Sequence, residues 1–368
     1  MSPTLVILLV GCTVAASCAL LGTFLVLRKL ALLGDAISHA VLPGIALAFL
    51  WTGSRAAVPM VLGAGALGLL TVLAVELFNR SRRLGEDASI GVVFPAFFSL
   101  GVILISRYAA QVDLDLDCVL YGEIAYTPWD TLLLGGRELG PKALWVNGVI
   151  LVVNLIAVLL FYKELKLSTF DPGLAATVGF SPMVLHYFLM GGVSVTVVGA
   201  FEAVGAILVV AMLVVPPATA YLLTDRLGTM LGLAVGFGVS ATVFGYGAAY
   251  LLDCSIAGAM ASVTGLQLLA AFLVSPRHGL LARWLVMRRL SGQLAHNLLL
   301  LHLQKGGAGL PLATLEQRFG WNPRRLERVL SRLLRQGWIE QDGLGLRLTP
   351  RGAEALEASG GAQLAHRW

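Results

Sequence analysis

Charge is what this sequence has least of. Asp, Glu, Lys and Arg make up 13% of its 368 residues, where a water-soluble domain carries about 25%, and the deficit excludes a soluble globular protein. Cysteine is sparse and unpaired in sequence. The four are Cys12, Cys18, Cys118 and Cys254, with no Cys-x-x-Cys spacing; Cys12 and Cys18 are expected to pack in the first apolar run. Cys118 and Cys254 fall in predicted outer loops, a disulfide between them being the less favoured reading. There is no Gly-x-x-x-x-Gly-Lys-Ser/Thr, so the chain has no cradle for ATP phosphates. Neither His-Glu-x-x-His nor Gly-x-Ser-x-Gly occurs, which argues against an intramembrane metalloprotease or a serine hydrolase. The N-terminus lacks the basic region and small-residue cleavage site of a secretory signal, so its apolar run is expected to be a retained span.

What is present is apolar. Hydrophobic residues account for 57% of the chain and glycines number 42, fitting membrane helices whose backbones approach closely. Runs long enough to cross a bilayer, about 17–25 residues each, are read at Leu5–Leu27, Ala31–Trp51, Ala57–Phe78, Ala88–Ile105, Leu144–Tyr162, Met183–Ala200, Ala203–Thr224, Thr229–Leu252 and Ser255–Val274. The sixth and seventh are separated only by Phe201 and Glu202, so eight spans with one broken helix is the alternative to nine. Basic residues concentrate in alternate loops (Arg28, Lys29, Arg80, Arg82, Arg83, Lys163, Lys166 and Arg226) and in the tail, which predicts the N-terminus outside and the C-terminus in the cytosol.

Charge also divides the chain. From Arg277 to Trp368 there are 14 basic and 6 acidic residues, a net of +8, whereas the preceding part is net −3. The expected organisation is a membrane domain over 1–276, a linker over 277–290, a small soluble domain over 291–358 and a disordered tail over 359–368. In the soluble part, His296–Gln304 and Leu312–Phe319 read as amphipathic helices. A third runs from Asn322 to Gly337 with Pro323 at its first position; a hairpin turning at Asp342-Gly343 and a last helix from Thr349 follow. Helix–helix–helix–hairpin is the winged helix-turn-helix order. Arg324, Arg325, Arg328, Arg332 and Arg335 recur on the third helix. They suit an anionic membrane surface in a regulatory or oligomerising module, with DNA the less favoured partner.

Ionisable groups within the spans are costly and tend to have a task. Asp35 and His39 lie one helical turn apart on one face, a pairing suited to a divalent cation. Pro43 has no N–H for the His39 carbonyl, so it is expected to bend that helix. Pro216 and Pro217 are expected to do the same to the carbonyls of Met212 and Leu213. Between spans, Asp171-Pro-Gly-Leu-Ala-Ala-Thr-Val-Gly179 reads as a short cytoplasmic helix capped by Asp171. Asp113, Asp115 and Asp117 alternate with leucines in the long outer loop, forming either a cation funnel, a docking edge or a solvated loop. Glu202 is expected at the outer turn between two spans, and His186 near the inner start of its span in a structural role. His278, His296 and His302 form no metal-ligand pattern.

Leu33-Gly-Asp-Ala-Ile-Ser-His-Ala-Val-Leu-Pro-Gly44, the Asp171…Ala175…Gly179 loop and Val204-Gly-Ala-Ile-Leu-Val-Val-Ala-Met-Leu-Val-Val-Pro-Pro-Ala-Thr219 together resemble the permease family of manganese, zinc and iron ABC importers, over roughly Leu5 to Pro276. The resemblance implies an all-α polytopic protein of the type II importer fold in a prokaryotic cytoplasmic membrane. A member of that family would be a transport subunit rather than an enzyme, with no cofactor of its own and Mn2+, Zn2+ or Fe2+ as cargo. It also implies a homodimer, two cytosolic ATPase subunits and an extracytoplasmic metal-binding protein. Asp35 and His39 match the family's intramembrane metal contacts, and Asp171, Ala175 and Gly179 its ATPase-coupling helix. The basic extension departs from most relatives, which leaves a second reading: a membrane-anchored, metal-responsive regulator signalling through its winged helix.

Overall fold

A computed structural model describes residues 2–40, 42–53, 57–80, 85–108, 124–134, 137–275, 279, 281, 295–304, 323–342 and 345–358. The chain forms two compact units, Met1–Gly279 and Leu280–Trp368. The first is nearly all helical: α1 (Pro3–Leu27), α2 (Ala31–Ala40), α3 (Leu42–Thr52), α4 (Ala57–Arg80), α5 (Glu86–Tyr108), α6 (Lys142–Leu160), α7 (Tyr162–Phe170), α8 (Pro172–Thr177), α9 (Pro182–Val204), α10 (Ala206–Leu223), α11 (Leu227–Leu252) and α12 (Ile256–Val274). Eight of these are long and apolar enough to cross a membrane.

Three details of the membrane spans differ from the sequence expectation. The single span read at Ala31–Trp51 is two helices, α2 and α3, with Pro43 in the first turn of the second. The missing N–H that was expected to bend one helix instead separates two. The boundary between the sixth and seventh spans falls at Gly205 rather than at Phe201-Glu202, and both are full helices. Gly205 takes φ 80°, a conformation open to glycine at little cost. Finally, α10 runs unbroken through Pro216 and Pro217. The Leu213 carbonyl, four residues before Pro217, faces Gly22 of α1 so closely that a Cβ there would lie 1.8 Å from the oxygen.

Helix α1 is the centre of this unit, buried from Val14 to Leu25 and packed on α6, α10 and α11. A buried polar node ties three helices: the Asn154 amide of α6 donates to Ser17 Oγ of α1 and to Thr196 Oγ1 of α9, each at 2.7 Å. The two ends of the bundle are also distinct. Tyr246 donates to Thr4 at one end, where Lys142 meets Glu202. At the other end Arg28 meets Ser168 and Thr169, and Ser275 Oγ donates to the Leu222 carbonyl. A short hairpin, β1 (Thr131–Leu134) and β2 (Arg137–Pro141), precedes α6 where only a loop was expected.

The second unit contains α13 (295–304), α14 (Pro323–Arg335), the hairpin β3 (Ile339–Asp342) and β4 (Gly345–Leu348), and α15 (Pro350–Ala358). Asp342 pairs with Gly345, so Asp342, expected in the turn, ends a strand. Leu299, Leu300 and Leu303 of α13 and Leu326, Leu330 and Leu333 of α14 form its core with Ile339, Leu346 and Leu356. Thr349 caps α15 by accepting from the Gly352 N–H at 3.1 Å. The helix expected at Leu312–Phe319 lies outside the described residues.

Candidate functional site

Helix α2 buries Leu33, Ala36, Ile37 and Ala40, positions spaced for one helical face. It packs on α4, α5 and α9. That arrangement leaves Asp35 and His39 on another face, only partly covered. His39 Nε2 stands 3.7 Å from Asp35 Oδ1, with the His39 side chain 25% and the Asp35 side chain 47% exposed. At 3.7 Å the two do not form a hydrogen bond. One ion with ligand bonds of about 2.1 Å would bridge them at an angle of roughly 120°. The imidazole is held from α5, its ring centre 5.4 Å from that of Phe94 and 6.2 Å, edge-on, from that of Phe98. Among the described residues, no three His, Cys, Asp or Glu side chains gather into a closed metal cage. The pair is therefore an open, partly exposed acid–imidazole arrangement.

The 162–180 segment is more ordered than a loop. Helix α7, which the sequence reading missed, leads directly into α8. Asp171 caps α8 as expected, its Oδ1 accepting from the Leu174 N–H at 2.9 Å. Gly179, at φ 96°, closes it: its N–H reaches the Ala176 carbonyl at 3.2 Å and the Phe180 N–H reaches Ala175 at 3.0 Å, a left-handed helix stop. Ala175 is fully buried, whereas Leu174 and Val178 are 49% and 60% exposed.

Several partners were not legible from sequence. Glu202, expected in a turn, lies in the last turn of α9, and Lys142 Nζ sits 2.5 Å from its Oε1. Together with Tyr126, Thr127, Asp130 and Gly199 they line a cavity of about 240 Å³. Tyr187 donates to the Glu76 carboxylate of α4, while His186 packs edge-on against Tyr187. Arg28 reaches α7, and burial pushes its guanidinium below the ordinary arginine value without discharging it. A charge beside an apolar span was the only available signal for Glu76 and Arg28. Asp113, Asp115, Asp117 and Cys118, and with the last any pairing to Cys254, lie outside the described residues.

The sequence model of the ABC 3 transport family matches residues 3–276, and that of the HemN C-terminal domain matches residues 294–354. The manganese transport system membrane protein MntD of Bacillus subtilis is 49% identical over 277 residues, covering 75% of this chain and 94% of that protein. The zinc transport system membrane protein TroD of Treponema pallidum is 42% identical over 361 residues, covering 96% of this chain and 98% of that protein. The basic extension is thus shared with at least one relative. The solved structure of PsaBC from Streptococcus pneumoniae in complex with Fab superposes with a TM-score of 0.65 at 30% identity, covering 78% of this chain and 96% of that one.

Proposed function

The chain belongs to the ABC 3 transport family, and from that premise we propose that Asp35 and His39 hand the metal ion across the membrane while Asp171, Ala175 and Gly179 couple the passage to ATP hydrolysis. The protein is the membrane permease of an ABC importer for divalent transition metals, manganese, zinc or iron. It is not an enzyme; the ATPase is a separate subunit. The comparisons support this reading and not that of a membrane-anchored regulator.

The observation that carries the metal assignment is the open Asp35–His39 pair. Two protein ligands leave the rest of the coordination sphere to water, so binding stays weak enough for release, whereas a four-ligand cage would trap the ion. Oxygen and imidazole together accept all three metals, and the pair does not choose among them. Phe94 and Phe98 fix the ring so that His39 need not be ordered anew for each ion. On the ATPase side, the exposed Leu174 and Val178 give α8 an apolar face for a protein groove. The rigid stops at Asp171 and Gly179 let α8 move as a body.

The assembly we infer has a second permease copy, two cytosolic ATPase subunits and an outer metal-binding protein, with Asp113, Asp115 and Asp117 gathering cations at the outer face. The C-terminal unit is read as a cytosolic winged helix. Its Arg324, Arg328, Arg332 and Arg335 are all exposed on α14 and suit anionic headgroups of the same membrane, DNA being the less favoured partner. The test is radiotracer manganese uptake by cells carrying Asp35→Ala or His39→Ala. Each substitution is expected to abolish uptake while the permease still co-purifies with its ATPase; wild-type uptake by both would remove the pair from the pathway.

A further inference from the structure

The Asp35–His39 pair and the 162–180 segment are far apart in sequence, and one side chain joins their surroundings. Arg28 is the C-cap of α1. Its Nη2 donates to Ser168 Oγ at 2.7 Å and its Nε to Thr169 Oγ1 at 3.1 Å, both at the end of α7. Thr169 stands two residues before Asp171, the cap of α8. In the other direction the chain passes Lys29 and Leu30 and enters α2, where Asp35 is seven residues beyond Arg28.

We propose that Arg28 is a positioning residue, the strut by which the ATPase-facing 162–180 segment sets the position of the metal-bearing helix α2. This rests on the reading of Asp171–Gly179 as the coupling element. Hydrogen bonds from a guanidinium are roughly twice as strong as neutral ones, and half-burial at Arg28 limits the water that would compete for them. The corner that follows is stiff. Lys29 N–H reaches Val26 O at 3.1 Å and Leu30 N–H reaches Leu25 O at 2.9 Å, a stop normally built on glycine. Here Lys29 occupies it at φ 63°, a left-handed conformation that is costly for a non-glycine residue. Such a residue persists only where its surroundings over-determine it. Displacing α7 therefore either breaks both Arg28 bonds or carries the corner, and the start of α2 with it.

The test uses the full permease reconstituted with its ATPase subunits and binding protein, reading Mn2+ uptake and ATP hydrolysis together. Arg28→Ala is expected to keep stimulated hydrolysis but to lower ions moved per ATP roughly tenfold, the worth of a lost charge-assisted bond. Arg28→Lys should recover part of the ratio. The Ser168→Ala/Thr169→Val pair keeps the charge and nearly the volume. It should reproduce the Arg28→Ala ratio, and the triple variant should be no worse than either, a non-additivity that general destabilisation does not give. The pair also answers the point should Arg28→Ala fail to fold. A normal ratio in the Ser168→Ala/Thr169→Val protein overturns the strut. Gly179→Trp separates the two readings: lost stimulation with a normal ratio in the Arg28, Ser168 and Thr169 variants overturns the strut alone, whereas unaltered stimulation overturns the coupling helix and the strut together.

Discussion

Gly22 of α1 and Leu333 of α14 are both buried within their units, and they stabilise them in opposite ways. Gly22 contributes by having no side chain, so that α1 meets the Leu213 carbonyl of α10 backbone to backbone. Leu333 contributes by filling a mostly leucine core shared by three helices and a hairpin. The difference follows from the medium. Between helices in lipid there is no hydrophobic gain on contact, so close approach and buried hydrogen bonds such as Asn154 to Ser17 and Thr196 hold the unit. In water the removal of leucine surface is itself the driving force. The two units therefore fail differently when altered.

The largest effect is expected from Gly22→Val. The new side chain meets a backbone oxygen that cannot rotate away, so little monodisperse permease should survive detergent extraction, judged by size-exclusion chromatography. A normal yield would mean that the α1–α10 contact relaxes freely and that the contrast between the units is overdrawn. Next is Leu333→Ala, expected to cost the C-terminal unit about 2–5 kcal/mol, read as faster hydrogen exchange of α13 and α14 amides. Manganese uptake should stay near wild type, as it should when the chain is ended at Arg289. Loss of uptake in well-folded protein of either kind would show that the second unit belongs to the transport machinery.

The smallest effect is a pH dependence confined to the C-terminal unit. Burial, and then the Arg332 guanidinium, hold the His296 imidazole below its ordinary value of 6.5. Near pH 7.5 the group is neutral folded and unfolded and contributes nothing. As pH falls through 6.5 the unfolded chain takes up the proton first, so stability declines and levels off once the folded state is protonated too. Denaturant midpoints of the unit should fall between pH 7.5 and 5.5, and His296→Gln should flatten that slope. A slope unchanged by the substitution would assign it to other groups.

Much of the candidate site's local geometry could be read from the chain because its signals are local. Four-residue spacing puts Asp35 and His39 on one face, and Asp171 and Gly179 bracket a short helix by capping chemistry alone. The contacts that the reading missed are distant ones. Phe94 and Phe98 reach His39 from another helix, Lys142 meets Glu202 across 60 residues, and Arg28 meets Ser168 across 140. The turn at Gly205 was misplaced by a few residues because an apolar run continues through it, and only the backbone angle marks the reversal.

By itself the sequence determined where the membrane spans lie: scarce charge and repeated apolar runs mark them, while the leucine pattern of the tail is that of an amphipathic core. Tertiary structure decided which apolar faces meet. Both α1 and α6 are strongly apolar, yet 67% of the most apolar stretch of α1 is buried within the unit against 17% for α6. Hydropathy reports preference for an apolar environment, and a lipid tail and a neighbouring helix satisfy that preference alike. Which helix becomes central is settled by shape and hydrogen bonding: by Gly22 against Leu213, by Ser17 and Thr196 around Asn154, and by the Lys29 corner that turns the chain into α2.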